Sequence, residues 1–323
     1  MMNLEKIHRR GNTMTSSSHN ADPVGRLPNF LIIGVAKAGT SSLYAYLGQH
    51  PQIFVSPVRA PNFFGLGEQP SERYGGPVPQ REIAAPTLAQ YTALFADGQA
   101  ARTVGEGSSF FNFTPRAAAR IHHYRPDARL LLLLRQPADR AYSQYLYARR
   151  LGWEPAPTFA AALKDEDRRK AEDWFPFLRY AESSRYAATV RAFLEQFPPN
   201  QIYIARFEDF ARNTVTIMRQ IYQFLGVDPG FIPNVSIKRN PASVGLAPWL
   251  RSPWNVRTQR FWQIWPAAVR RPLFRGLDRL APKPPPLDPA LRRQLTHDFS
   301  TDILATQALI QQDLTHWLVN KEA

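Results

Sequence analysis

One stretch constrains this chain more than any other: Phe30-Leu31-Ile32-Ile33-Gly34-Val35-Ala36-Lys37-Ala38-Gly39-Thr40-Ser41-Ser42-Leu43. An apolar run fit for a buried strand passes through a turn of small residues carrying one lysine, and hydroxyl residues then open a helical pattern. Glycine and alanine let backbone N–H groups approach an anion, a helix N-terminus adds partial positive charge, and Thr40, Ser41 and Ser42 bring hydroxyl donors. Lys37 adds a mobile full charge. A small-residue turn by itself does no more than join a strand to a helix. Strand, lysine, glycine, hydroxyls and helix together point to a phosphate-binding loop, with Ala38 and Gly39 lining its backbone.

The spacing is not that of the Walker A loop, which needs lysine directly after its second glycine; here Thr40 follows Gly39, and Lys37 lies before it. The apolar run at 130–134 ends in Arg135 rather than in the aspartate with which a nucleotide kinase holds Mg²⁺. An arginine there suits a second phosphate bound directly. The run continues as Gln136-Pro137-Ala138-Asp139-Arg140-Ala141-Tyr142-Ser143, with Pro137 placed to start a helix. Arg135 and Ser143 could then converge on one set of ligand oxygens. Alone, these arginines fit a solvated helix face, with Ser143 a neutral filler, better than a ligand site; pairing with the first loop reverses that preference.

Short aliphatic runs alternating with helical patterns predict βαβ units around a parallel sheet. Strands are expected at 30–35, 103–105, 129–134 and 202–205, and helices at 41–49, 115–123, 137–150, 185–197 and 213–225. Residues 57–87 are rich in proline and glycine, and a loop that long following the first helix is a candidate cover for the site. From 248 to 280 tryptophans and arginines interleave, and a proline-rich joint follows. Leu291, Leu295, Phe299 and Ile303 then recur every four residues, and Ile310, Leu314 and Trp317 resume the stripe, as for amphipathic helices packed on the domain. The organisation expected is a disordered tail over 1–25 and one α/β domain over 26–320, with an elaboration at 248–289 and terminal helices at 289–318.

Forty Lys and Arg against 26 Asp and Glu leave a net charge of +14, which favours a polyanionic partner. The absence of cysteine excludes thiolate catalysis and cysteine-held metal, and the seven histidines show no metal spacing. No apolar run approaches the roughly 20 residues of a membrane span, and the first residues lack a signal peptide's apolar core, so a cytoplasmic location is expected. The Trp/Arg stretch is compatible with stacking on bases, docking an acidic acceptor, or peripheral contact with an anionic membrane at its inner surface. Amphipathic packing is its plain alternative.

The two phosphate elements resemble those of the sulfotransferases that use 3′-phosphoadenosine-5′-phosphosulfate (PAPS), in particular the heparan sulfate sulfotransferase branch and its bacterial relatives, along most of residues 28–320. The resemblance implies a P-loop-like three-layer α/β fold, a central parallel sheet flanked by helices. It implies that Lys37-Ala38-Gly39-Thr40-Ser41-Ser42-Leu43 grips the 5′-phosphosulfate and that Arg135 through Ser143 binds the 3′-phosphate. It further implies that Lys37 neutralises the bridging oxygen as the sulfuryl group leaves, with no metal, giving the bisphosphate product PAP. Looser likenesses are Gly105-Glu106-Gly107-Ser108, Ser184-Arg185-Tyr186, Arg206-Phe207-Glu208-Asp209 and Lys238-Arg239-Asn240, the last as further donor contacts. Nucleic acid is not among the partners implied; the acceptor is a glycan or a lipid-linked or small molecule carrying a hydroxyl or amine.

One departure matters. Members of this branch commonly read K-E-P-x-F-F, whose glutamate takes the acceptor's proton; this chain reads Arg59-Ala60-Pro61-Asn62-Phe63-Phe64. Arg59 keeps the positive charge, but a methyl group stands where the base belongs. Glu106 is the best substitute, with Glu68 and His50 behind it, and a structural carboxylate is its equal alternative. Three readings follow: an active sulfotransferase, a PAPS- or PAP-binding protein with impaired catalysis, and, less favoured, a nucleotide kinase with a shifted lysine.

Overall fold

The computed structural model describes residues 26–66, 74–78, 87–108, 116–236 and 284–319. Five parallel strands form the sheet: β1 (Phe30–Gly34), β2 (Ile53–Val55), β3 (Thr103–Glu106), β4 (Arg129–Leu134) and β5 (Ile202–Arg206), in the order β2-β3-β1-β4-β5. Parallel strands are covered on both faces and so read as continuous apolar runs, which is why every residue of β1 and all but the first of β4 are buried. The flanking helices used below are α1 (Thr40–Leu47), α2 (Arg116–Tyr124), α3 (Pro137–Leu151), α4 (Ala187–Gln196), α5 (Thr214–Leu225), α6 (Pro289–Asp298) and α7 (Ser300–Ile310). This is the P-loop-like α/β architecture that the sequence predicts.

The order of strands decides where a ligand can sit. From β1 the chain runs through α1 to the edge strand β2, returns through β3, and then crosses to β4 on the other side of β1. Connections after β1 and β4 therefore diverge, and the carboxyl ends of these neighbours open the crevice in which such sheets bind ligands. The register of β1 on β4 slips between Ile32 and Gly34, just where the lysine-bearing turn begins. On the other side Gly105 is required: a Cβ there would lie 2.2 Å from the Phe30 ring.

Helix ends follow local chemistry. Pro137 occupies the first turn of α3, the Gln136 side chain accepts from the Asp139 N–H, and Gly152 closes the helix in the left-handed region. Gly226 ends α5 in the same way. The four-residue stripe at the carboxyl end is split by Phe299 into α6 and α7, which pack against α3 and α4 respectively. Leu295, Phe299, Ile303, Leu314 and Trp317 of that stripe are all buried. Strand β2 and the short helices Phe159–Lys164, Glu166–Ala171 and Phe207–Arg212 lie where the sequence predicts no element. The expected tail and residues 248–283 of the elaboration lie outside the described residues, as do Glu68, Lys238, Arg239 and Asn240.

Candidate active site

The turn from β1 to α1 is built on residues in the left-handed region: Lys37 has φ 74° and Gly39, which caps α1, has φ 87°. A side chain on Gly39 would meet the Phe207 ring at 3.0 Å, so the glycine is fixed by conformation and by space. Two arginines hold the turn from behind. Arg140 Nε donates to the Ala36 carbonyl at 3.1 Å, and Arg135 donates to the Lys37 carbonyl at 2.9 Å. Among the described residues the N–H groups of Gly39 and Thr40 and the hydroxyls of Thr40, Ser42 and Ser143 have no protein acceptor or donor, while Ser41 Oγ accepts from Arg59 at 2.5 Å. No acidic residue stands in the first turn of α1. An anion is the natural complement of such a helix start.

Lys37 carries the electrostatic signature. Its ammonium is pushed down to about 7, first by burial and then by the positive charges of Arg150, Arg135, Arg59 and Arg140. The four charges that act on it most strongly are all of its own sign, an arrangement unfavourable by itself and relieved by a polyanion.

Arg135 stands half-buried at the end of β4 with its guanidinium 4.8 Å from the centre of the Phe207 ring. Its carbonyl accepts from Tyr186 Oη at 2.7 Å, and Glu208 accepts from the Gln136 N–H at 3.1 Å. The looser sequence likenesses at 184–186 and 206–209 thus brace the second loop. Arg140 differs from Arg135: it is 0 % exposed and spends its remaining donors on Ser183, Ser184 and Gln144. Ser143, one turn beyond it on α3, is half-buried.

The loop after β2 brings Arg59 to Ser41 and ties to the end of β3, where the Gly107 N–H donates to the Arg59 carbonyl at 3.2 Å. Glu106 lies beneath it at 0 % exposure. Ser108 donates to one carboxyl oxygen at 2.6 Å and Tyr91 to the other at 3.3 Å, and Ser108 Oγ in turn accepts from the Asn62 N–H at 3.0 Å. Burial pushes the Glu106 carboxyl up to about 8 despite these hydrogen bonds. A group so placed is protonated at neutral pH and faces the loop that carries Ala60. His50, a second alternative base beside Glu68, is remote: it precedes β2 at the opposite end of the sheet, with one ring nitrogen against the Asp228 carbonyl and the other accepting from the Gln52 N–H.

Sequence reasoning missed Tyr147 and Arg150 and gave Phe207 only as part of a loose likeness, with no role; all three touch the site. The signal for the first two was present, since 143, 147 and 150 share one face of a helix. Among the described residues no group of three His, Asp or Glu side chains is arranged to hold a metal ion, and no helix is long and apolar enough to cross a membrane.

A parallel sheet whose first strand feeds a lysine-bearing glycine turn, and whose neighbour feeds an arginine turn, defines a phosphate-loop-like α/β protein. A model of the sulfotransferase family matches residues 28–231, more than half the chain, and the chain belongs to that family. The crystal structure of a sulfotransferase from Alicyclobacillus acidocaldarius superposes with a TM-score of 0.72 at 31% identity, covering 90% of this chain and 99% of that one. Bifunctional heparan sulfate N-deacetylase/N-sulfotransferase 3 of Homo sapiens is 27% identical over 64% of this chain, and carbohydrate sulfotransferase 15 of Rattus norvegicus is 29% identical over 63%. The chain spans 23% of the length of the first and 44% of the second.

Proposed function

We propose that this protein transfers the sulfuryl group of PAPS to a hydroxyl or amine of an acceptor, a glycan being the class the names of its relatives support. The observation that carries the proposal is the gathering of Lys37, Arg59, Arg135 and Arg150 around an α1 start with open N–H groups. The fit to a nucleotide bearing two phosphate positions is good: the β1 turn and the β4 turn are adjacent, the first offering Lys37 and three hydroxyls and the second Arg135 and the Ser143 hydroxyl. Lys37, Ala38, Gly39, Thr40, Ser41 and Ser42 would hold the 5′ side and Arg135 and Ser143 the 3′ side.

PAPS, when bound, would supply a sulfuryl group: its bond to the phosphate oxygen would break as the bond to the acceptor's oxygen or nitrogen forms, leaving negative charge on the phosphate and releasing the acceptor's proton to water. Lys37, protonated by the company of that anion, stabilises the charge, and Arg59 adds a second cation through Ser41. No metal is assigned a role. Glu106 is proposed as a positioning residue: through Ser108 it holds the Asn62 backbone, and with it the loop that carries Arg59. On that assignment Glu106→Gln keeps turnover within about fivefold, because a neutral amide replaces a neutral carboxyl; a loss of about a hundredfold or more would restore the direct base role. Stability adds a second readout. Between the ordinary carboxylate range and about 8 the folded chain holds a proton that the unfolded chain releases, so wild-type stability falls as pH rises through this window. The Gln variant lacks that loss, and thermal melts at pH 6 and 8.5 measure the difference.

Isothermal titration with PAP beside ATP and Mg²⁺ tests the donor. PAP bound in preference to ATP supports the proposal; a preference for ATP with Mg²⁺ would return the kinase reading. Ala60 is the specific observation that favours a second reading, a PAP-binding protein without turnover, and PAP binding with no sulfuryl transfer to any glycan tried would select it.

A further inference from the structure

We propose that Tyr147 is a positioning residue whose ring holds the Lys37 ammonium beside the phosphate loop; the inference rests on the donor-site reading above. Lys37 Nζ lies 4.0 Å from the centre of the Tyr147 ring. The other end of the residue is fixed already, with its backbone in the left-handed region and its carbonyl accepting from Arg135. Between them run the rotatable bonds of the side chain, which would otherwise sample many rotamers.

The charges around Lys37 make the ring necessary. Arg150 and Arg140 face it from α3, Arg135 from the end of β4 and Arg59 from the loop after β2, and all repel it. Among the described residues the negative face of the Tyr147 ring is the one attractive contact the ammonium has. Without it the ammonium would move outward from the four guanidinium groups. The ring is itself held: Tyr147 lies one turn beyond Ser143 on α3, its ring meets Phe177 edge-on at 6.0 Å, and the Arg150 guanidinium lies 4.8 Å from its centre. A lysine ordered before the donor arrives need not be ordered in the transition state.

Two donor-side measurements on the full chain test this. Competitive labelling of amines with acetic anhydride across pH, read by peptide mass spectrometry, gives the titration midpoint of Lys37; calorimetry gives the affinity for PAP. Tyr147→Phe, which keeps the ring, should leave both within error. Tyr147→Leu should lower the midpoint by about half a unit to one unit, because the charged form loses its partner, and weaken PAP about fivefold. An unchanged midpoint in the Leu chain, or an equal change in the Phe chain, overturns the role of the ring. Wild type that fails to bind PAP sinks the donor-site reading instead, while the labelling arm still decides for or against Tyr147. If the Leu chain does not fold, Tyr147→Gln is read in the same two ways.

Discussion

Lys37→Ala is expected to reduce sulfuryl transfer by about a hundred- to a thousandfold, the range seen when one preorganised donor to a developing oxyanion is removed. Most of the effect should fall on kcat, since Arg135, Arg59 and the α1 start still hold the nucleotide, while PAP affinity should fall by about tenfold. The wild type should also show a pH dependence that the variant lacks. Its lysine is half protonated near 7 in the free protein and fully protonated beside a polyanion, so binding takes up a proton. PAP affinity should therefore weaken as pH rises above 7, by at most about tenfold per unit, and level off as pH falls. Calorimetry in buffers of differing ionisation enthalpy measures the proton directly. A variant and a wild type with the same pH profile would remove Lys37 from the site.

Arg140→Met is the second large effect, and it acts on the frame. Arg140 donates to Ala36, Ser183, Ser184 and Gln144 at 0 % exposure, and burial pushes it down to about 10, so it stays charged at neutral pH. Methionine fills much of the volume but takes the donor from the Ala36 carbonyl and the Gln144 amide oxygen in a dry interior, while Ser183 and Ser184 keep their bonds to Gln144 and Tyr180. The expected cost is about 3 kcal/mol or more, a fall in Tm of about 6–10 °C. PAP binding should be lost with it, because the Ala36 carbonyl that shapes the loop is released. Thermal melts and calorimetry on one preparation report both. Full PAP affinity in a destabilised chain would mean that the loop keeps its shape without Arg140.

Much of this was legible in the sequence, for reasons that differ along the chain. The apolar runs of β1 and β4 are continuous because both strands are covered on both faces, and Arg129–Leu134 is found at the predicted bounds. Strand β2 was not legible: three residues, Ile53–Val55, show no period, and only the pairing with β3 makes them a strand. Likewise, Phe207–Arg212 follows β5 so closely that the sequence offers no boundary between them. At the site, Lys37 and the hydroxyls announce an anion by type and spacing. The distinction between Arg135 and Arg140 could not be read, since both are arginines of one helix start and only burial separates a half-buried guanidinium from an enclosed framework one. Glu106 illustrates the same limit: its sequence position at a strand end suited a base, while its enclosure by Tyr91 and Ser108 is a product of the fold.

The bond from Arg135 to the Lys37 carbonyl joins residues 98 positions apart. Between them the chain must lay down an edge strand, come back, and cross the first strand before the two turns can meet. A sheet that lacks the β1–β4 pair does not hold both turns, so the proposed donor cradle waits on that long-range pairing, and contacts of such long range form late. On the proposed donor reading, an anion spanning both turns would act as a removable staple across the middle of the sheet. Occupancy would thereby report that the β1–β4 pair has formed.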